Sequence, residues 1–138
     1  MELTELFQVG MSREEEILVE TKYLALHMGS GDAGVLATPW MIAFMEWVSH
    51  HLLAASLPQG FSSVGTQLNV RHLAATPPGV KVRVRAEILG MEGSRVDFKV
   101  EAWDPQEKIG EGTHERYVIE AERFMKRVSK KRENLGLD

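Results

Sequence analysis

Residues 38–55 read Thr38-Pro39-Trp40-Met41-Ile42-Ala43-Phe44-Met45-Glu46-Trp47-Val48-Ser49-His50-His51-Leu52-Leu53-Ala54-Ala55, and this stretch decides the architecture. Thr38 suits a helix N-cap, because its hydroxyl accepts from a first-turn N–H that has no intrahelical partner. Pro39 suits the first helical position, where no N–H is needed. The helix should stop near Leu57-Pro58-Gln59-Gly60, a cluster of breakers. Its apolar residues do not keep to one stripe. Trp40, Ile42, Phe44, Met45, Trp47 and Val48 point nearly all round the axis, so the helix should be buried on most sides.

Something must wrap it, and the following segments supply the material. Val64 to Leu73 alternates, with Val64, Thr66, Leu68, Val70 and His72 on one face. Val80, Val82, Val84, Ala86 and Ile88 alternate with Lys81, Arg83, Arg85 and Glu87; Val96, Phe98, Val100 and Ala102 alternate with Arg95, Asp97, Lys99 and Glu101. Gly90 to Ser94 reads as the hairpin turn between these two runs. Asp104-Pro105-Gln106-Glu107 is the next turn and leads into a strand over Ile109 to Ile119, where Gly110 and Gly112 permit close backbone approach. One apolar face and one charged face mark an antiparallel sheet lying on a core.

At the ends, Glu14 to Leu24 reads as a first strand, with Ile17, Val19, Thr21 and Tyr23 alternating. His27 to Ala37, with Gly29, Gly31 and Gly34, reads as a loop. Ala121, Phe124, Met125 and Val128 recur at helical spacing and predict a C-terminal amphipathic helix, whose basic end suits its negative pole. The expected fold is α+β: a curved antiparallel sheet around one buried helix, the hotdog architecture, in a single domain over residues 1–138.

Composition narrows the function. The net charge of −4 argues against nonspecific nucleic-acid binding, which needs a positive field. With no cysteine there is neither a disulfide nor a thiolate ligand or nucleophile. No secretory signal is legible at Met1 to Gly10 and Glu46 interrupts the longest apolar run, so no membrane association and a cytosolic protein are expected. His50 and His51 are adjacent on a helix and diverge, and no other ligand cluster stands at metal spacing.

Three residues share a chemical logic. A carboxylate on an apolar helix, Glu46, is either paired to a strand residue or acts as a general base. His72 is either a satisfied rim histidine or a proton acceptor, and Thr38 either a cap or a nucleophile near helix N–H groups that favour negative charge. Gly65 offers strand entry or a bare N–H for a thioester oxygen. His114 and Arg116 share one strand face, without a partner legible in the sequence.

These residues lie in longer matches. Thr38-Pro39-Trp40-Met41, Met45-Glu46-Trp47, Val64-Gly65-Thr66, His72-Leu73-Ala74-Ala75-Thr76-Pro77-Pro78-Gly79 and Gly110-Glu111-Gly112-Thr113-His114-Glu115-Arg116 together resemble the fluoroacetyl-CoA thioesterase family of hotdog enzymes, from about Val35 to Lys126. The resemblance implies acyl-CoA hydrolysis by Thr38, Glu46 and His72, with the Gly65 amide near the thioester carbonyl and Arg116 a polar substrate-side residue. It also implies a homodimer with active sites at the subunit interface, and neither metal nor cofactor. That family carries an aromatic gate before its threonine. Here Gly29 to Ala37 is short, glycine-rich and without an aromatic residue, so selectivity for a fluorinated acyl group is not carried over; the expected substrate is a short-chain acyl-CoA. Two other readings fit the same scaffold: a non-catalytic acyl-CoA-binding module, and a dehydratase acting on hydroxyacyl or enoyl thioesters.

Overall fold

The computed structural model describes residues 1–137. Strand β1 (Ser12–Leu18), a one-turn helix α1 (Ala25–Met28) and the long helix α2 (Thr38–Ala54) come first. Strands β2 (Phe61–His72), β3 (Lys81–Glu92), β4 (Arg95–Trp103) and β5 (Lys108–Glu120) follow, then helix α3 (Ala121–Asn134). The strands form one sheet in the order β1-β3-β4-β5-β2, antiparallel at every pairing. The sheet curves around α2, and this is the hotdog fold.

The alternation in the sequence accounts for the core. Val82, Val84, Ala86 and Ile88 of β3 and Val96, Phe98, Val100 and Ala102 of β4 are fully buried, as are Met41, Phe44, Met45, Val48 and Leu53 of α2. Each of these side chains larger than alanine adds about 1.5–3 kcal/mol of apolar burial. The inner face of β5 instead approaches closely. A Cβ on Gly110 would stand 2.5 Å from the Met41 sulfur, and one on Gly112 would overlap the Asn69 backbone of β2. Glycine is therefore required there by space rather than by turn geometry.

Several expectations need correction. The first strand ends at Leu18 rather than Leu24, and Thr21–Tyr23 form a 3₁₀ turn. The Tyr23 ring packs 4.5 Å from Trp40 and 5.0 Å from Phe44, centroid to centroid, and reaching them takes the chain out of the sheet. The segment expected as loop begins in the second half of α1, which Gly29 terminates in the left-handed region at φ +80°. Ala37, not Thr38, is the N-cap of α2, and Thr38 makes no capping bond.

The β2 pattern also changes face midway. A bulge between Gly65 and Gln67 inserts one residue, so Ser63 and Gly65 face inward before it and Leu68, Val70 and His72 after it. Val64 and Thr66 consequently point outward. Finally, α3 is amphipathic in sequence but buries none of its residues.

Candidate active site

Helix α2 is covered on most sides but keeps one open strip: Thr38, Ile42, Glu46 and His50 recur at helical spacing, with exposed Trp47 beside them. The Glu46 side chain is 38% exposed in the single chain, so the carboxylate is less buried than the apolar run suggests. The candidate residues fall along this strip in two groups.

At the N-terminal end, Thr38 Oγ1 lies 2.7 Å from His72 Nδ1. Released from capping, the threonine hydroxyl is free to make this bond. Burial pushes the His72 imidazole below its ordinary range, partly opposed by the backbone carbonyl of Ala74. Nε2 is shut from solvent without a well-formed partner among the described residues. In the tautomer with its proton on Nε2, the neutral ring offers the Thr38 hydroxyl a bare Nδ1 to donate to. A hydroxyl donating to a neutral imidazole is the ground state of an activated nucleophile. The pair lines an open cleft of about 450 Å³, walled by Ala25, Ser30, Val35 and Ala75.

Two turns along the helix, about 12 Å at 1.5 Å per residue, Glu46 faces a different set. Its Oε2 is 3.7 Å from Arg116 Nη1, an ion pair rather than a hydrogen bond. Arg116 is 6% exposed. Its Nε donates to Ser63 Oγ at 2.9 Å, its Nη2 to the Ser63 carbonyl at 3.0 Å, and its Nη1 to His114 Nε2 at 3.2 Å. Burial lowers the guanidinium pKa, and Glu46 opposes that shift. His50 Nδ1 is 2.9 Å from Ser63 Oγ, and burial together with the Arg116 charge keeps this imidazole below its ordinary range. Ser63 Oγ thus bridges Arg116 Nε and His50 Nδ1.

Gly65 belongs to this second group. A Cβ there would stand 2.7 Å from Glu46 Oε2 and 3.3 Å from Arg116 Nη1, so only glycine lets the β2 backbone lie against the carboxylate. Glu46, Trp47, His50, Ser62, Ser63 and Arg116 line a second open cleft of about 440 Å³.

The five expected residues thus assemble as Thr38 with His72, and Glu46 with Gly65 and Arg116. Within one chain no hydrogen bond joins the two groups. Ser63 and His50 were not anticipated as parts of the site, because the assumed alternation placed Val64 inward; only the bulge turns Ser63 toward Arg116. Of the other histidines, His51 bonds Glu15 at 2.8 Å and lines neither cleft. No helix among the described residues is long and apolar enough to cross a membrane.

Residues 19–122 match the family model of the fluoroacetyl-CoA-specific thioesterase FlK. The fluoroacetyl-CoA thioesterase of Streptantibioticus cattleyicolor is 45% identical over 97 residues, 70% of either chain. A structure of the fluoroacetyl-CoA thioesterase FlK is similar with a TM-score of 0.85 at 37% identity, covering 91% of this chain and 97% of that one. A variant of FlK in complex with fluoroacetate and CoA gives a TM-score of 0.82 at 37% identity, over 86% and 99% of the two chains. A hot-dog-like protein from Thermanaerovibrio acidaminovorans reaches 0.87 at 28% identity, over 95% and 97%.

Proposed function

The chain belongs to the fluoroacetyl-CoA-specific thioesterase family, and we propose that it hydrolyses short-chain acyl-CoA thioesters with Thr38, Glu46 and His72 as its reacting set. The observation that carries this reading is the 2.7 Å bond from the Thr38 hydroxyl to His72 Nδ1. His72 takes the hydroxyl proton as Thr38 Oγ1 attacks the thioester carbonyl carbon. The carbon–sulfur bond breaks, CoA leaves as its thiol with that proton, and the acyl group rests on Thr38. Water, deprotonated at Glu46 or His72, then attacks the ester and releases the free acid. The Gly65 N–H receives the developing oxyanion, with Arg116 behind Glu46 holding the carboxylate in place. A hydroxyl, an imidazole and a carboxylate suffice for every step, so no metal or cofactor is invoked.

Thr38 and Glu46 are too far apart on one helix to act on one carbonyl, so a second copy completes the site. Strand β2 is an edge of the sheet, and an unpaired edge is a template for another strand. Antiparallel pairing of β2 with its copy about an axis near Leu68 and Asn69 lays the partner's His72 opposite Gly65. That brings the Thr38–His72 pair of one copy to the Glu46–Gly65–Arg116 group of the other. The enzyme is accordingly a cytosolic homodimer with two composite sites.

Complementation tests this directly. Glu46→Gln and Thr38→Ala should each lose activity by about 10²–10⁴-fold, measured as free thiol released from a short-chain acyl-CoA panel. Refolding the two inactive chains together produces mixed dimers with one intact site each, restoring about a quarter of wild-type activity in a symmetric dimer. No recovery in the mixture would refute the composite site, and wild-type turnover by Thr38→Ala would rule out the acyl-enzyme route. Hydration products without thiol release would point to the dehydratase reading, and binding without turnover to the acyl-CoA-binding module.

A further inference from the structure

His114 is 2% exposed and belongs to none of the reacting groups. Its Nδ1 lies 2.8 Å from the Gln67 carbonyl oxygen. A carbonyl only accepts, so Nδ1 carries the proton, and in the neutral ring Nε2 is a bare acceptor. Arg116 Nη1 donates to that nitrogen at 3.2 Å, and the same Nη1 faces Glu46 at 3.7 Å. Ser63 holds the opposite edge of the guanidinium through Nε and Nη2. The imidazole therefore decides where the remaining corner of Arg116 points.

The other bond of the ring reaches the bulge. Gln67 is the residue at which the β2 register resumes after Gly65, and Thr66 between them is tied outward to Glu115 at 2.7 Å. A bulge leaves one residue unpaired and disrupts the ladder locally. His114 adds a side-chain bond to the backbone there, on the inner face. One side chain thus links the backbone that carries the Gly65 N–H to the guanidinium beside the catalytic carboxylate.

We infer that His114 is a positioning residue of the hydrolysis: as its Nδ1–H tautomer it couples the Gly65 bulge to Arg116 and so fixes Glu46 and the Gly65 amide relative to one another. The inference rests on the thioesterase reading for its effect on rate, but not for the tautomer itself. The charged groups facing the ring are Arg116, Glu46 and Glu115, and the Phe98 ring stacks on it at 6.1 Å. Burial pushes the imidazole pKa down; the Gln67 carbonyl opposes this, Arg116 adds to it, and the two glutamates oppose it. Protonation would turn a donor toward the guanidinium and break the coupling, so the neutral ring is the working form.

Two measurements test this. Long-range proton–nitrogen spectra of the wild-type dimer at pH 7 should show Nδ1–H on His114; an Nε2–H ring or an imidazolium would overturn the assignment. His114→Phe keeps the stack on Phe98 but removes both bonds. It should lower kcat roughly 10-fold or more with KM within about a factor of two, since sub-ångström misplacement acts on the chemical step. His114→Gln, which returns an amide oxygen toward Arg116, should recover kcat to within about threefold of wild type. A His114→Phe enzyme with wild-type kcat, or one in which only KM rises, overturns the role. If the Phe variant does not fold, His114→Asn, whose shorter side chain cannot span both Gln67 and Arg116, takes its place: a lower kcat at unchanged KM supports the coupling, and an unchanged kcat refutes it. Absence of thiol release by the wild-type enzyme would sink the hydrolase reading instead, while the nitrogen spectrum would still report the tautomer.

Discussion

The two edges of the sheet are opposites. Strand β1 places Arg13, Glu14, Glu15 and Glu16 within seven residues, and three of these are engaged: Glu15 with Arg13 and His51 at 2.8 Å each, Glu14 with Arg83 at 2.8 Å. Charges on an edge discourage another strand from pairing there. Strand β2 runs for twelve residues with Arg71 as its only permanent charge, and it borders the open strip of α2 that carries Thr38 and Glu46. A long, nearly uncharged edge next to polar side chains in two separated groups is where the proposed second copy would pair. On that proposal one edge resists pairing and the other completes the site.

The largest expected effect comes from charging the open edge. Gln67→Lys combined with Asn69→Lys would set like charges against one another across the proposed axis. Light scattering should then report monomers, with unchanged far-ultraviolet circular dichroism and activity down about 10²-fold or more, because like-charge juxtaposition at an interface costs several kcal/mol. An active monomer would show that the comparison of edges misreads the assembly.

Next is Gly65→Ala. The added methyl group meets Glu46 Oε2 at 2.7 Å and must displace the carboxylate or the bulge. We expect kcat to fall by roughly 10-fold or more and stability to drop by about 1–3 kcal/mol, the usual range for overpacking. Denaturation and steady-state kinetics on one preparation would separate the two.

The pH dependence is gentler. His72 must be neutral to accept the Thr38 proton, and its pKa is held below the ordinary 6.5 by burial. The profile of kcat/KM should therefore stay flat down to about pH 6.5 and fall only below it. Stability follows the same direction. His50, His72 and His114 all have lowered pKa values, so the unfolded chain binds more protons below 6.5, and folding stability declines as the pH falls from there. An acid limb above pH 6.5 would contradict His72 as the base.

The smallest effect should come from the guarded edge. Glu14→Gln removes an exposed pair with Arg83 and should change stability by no more than about 0.5 kcal/mol and leave activity unaltered. A large activity loss there would mean that β1, not β2, meets the partner.

Much of this was legible from residues alone where one physical rule governs. The clean period of two in β3 and β4 gave their inner faces, because burial on one side leaves no other pattern. The all-round apolarity of α2 required a wrapping sheet. Tyr23 was misplaced because alternation cannot show that a ring will leave the sheet to reach Trp40 and Phe44. Ser63 and His50 were missed because one inserted residue reverses every side chain before it, and nothing local in Val64-Gly65-Thr66-Gln67 announces the insertion.

What the chain determined by itself is the architecture and the proposal of Thr38, Glu46, His72, Gly65 and Arg116 as the site, since periodicity and ordered motifs are properties of one dimension. Only the tertiary structure decided how they group. Helix rise separates Thr38 from Glu46 by about 12 Å, the β2 bulge turns Ser63 and Gly65 inward, and a buried arginine selects its neighbours through His114. Such distances arise from long-range packing between α2, β2 and β5, which no local pattern encodes.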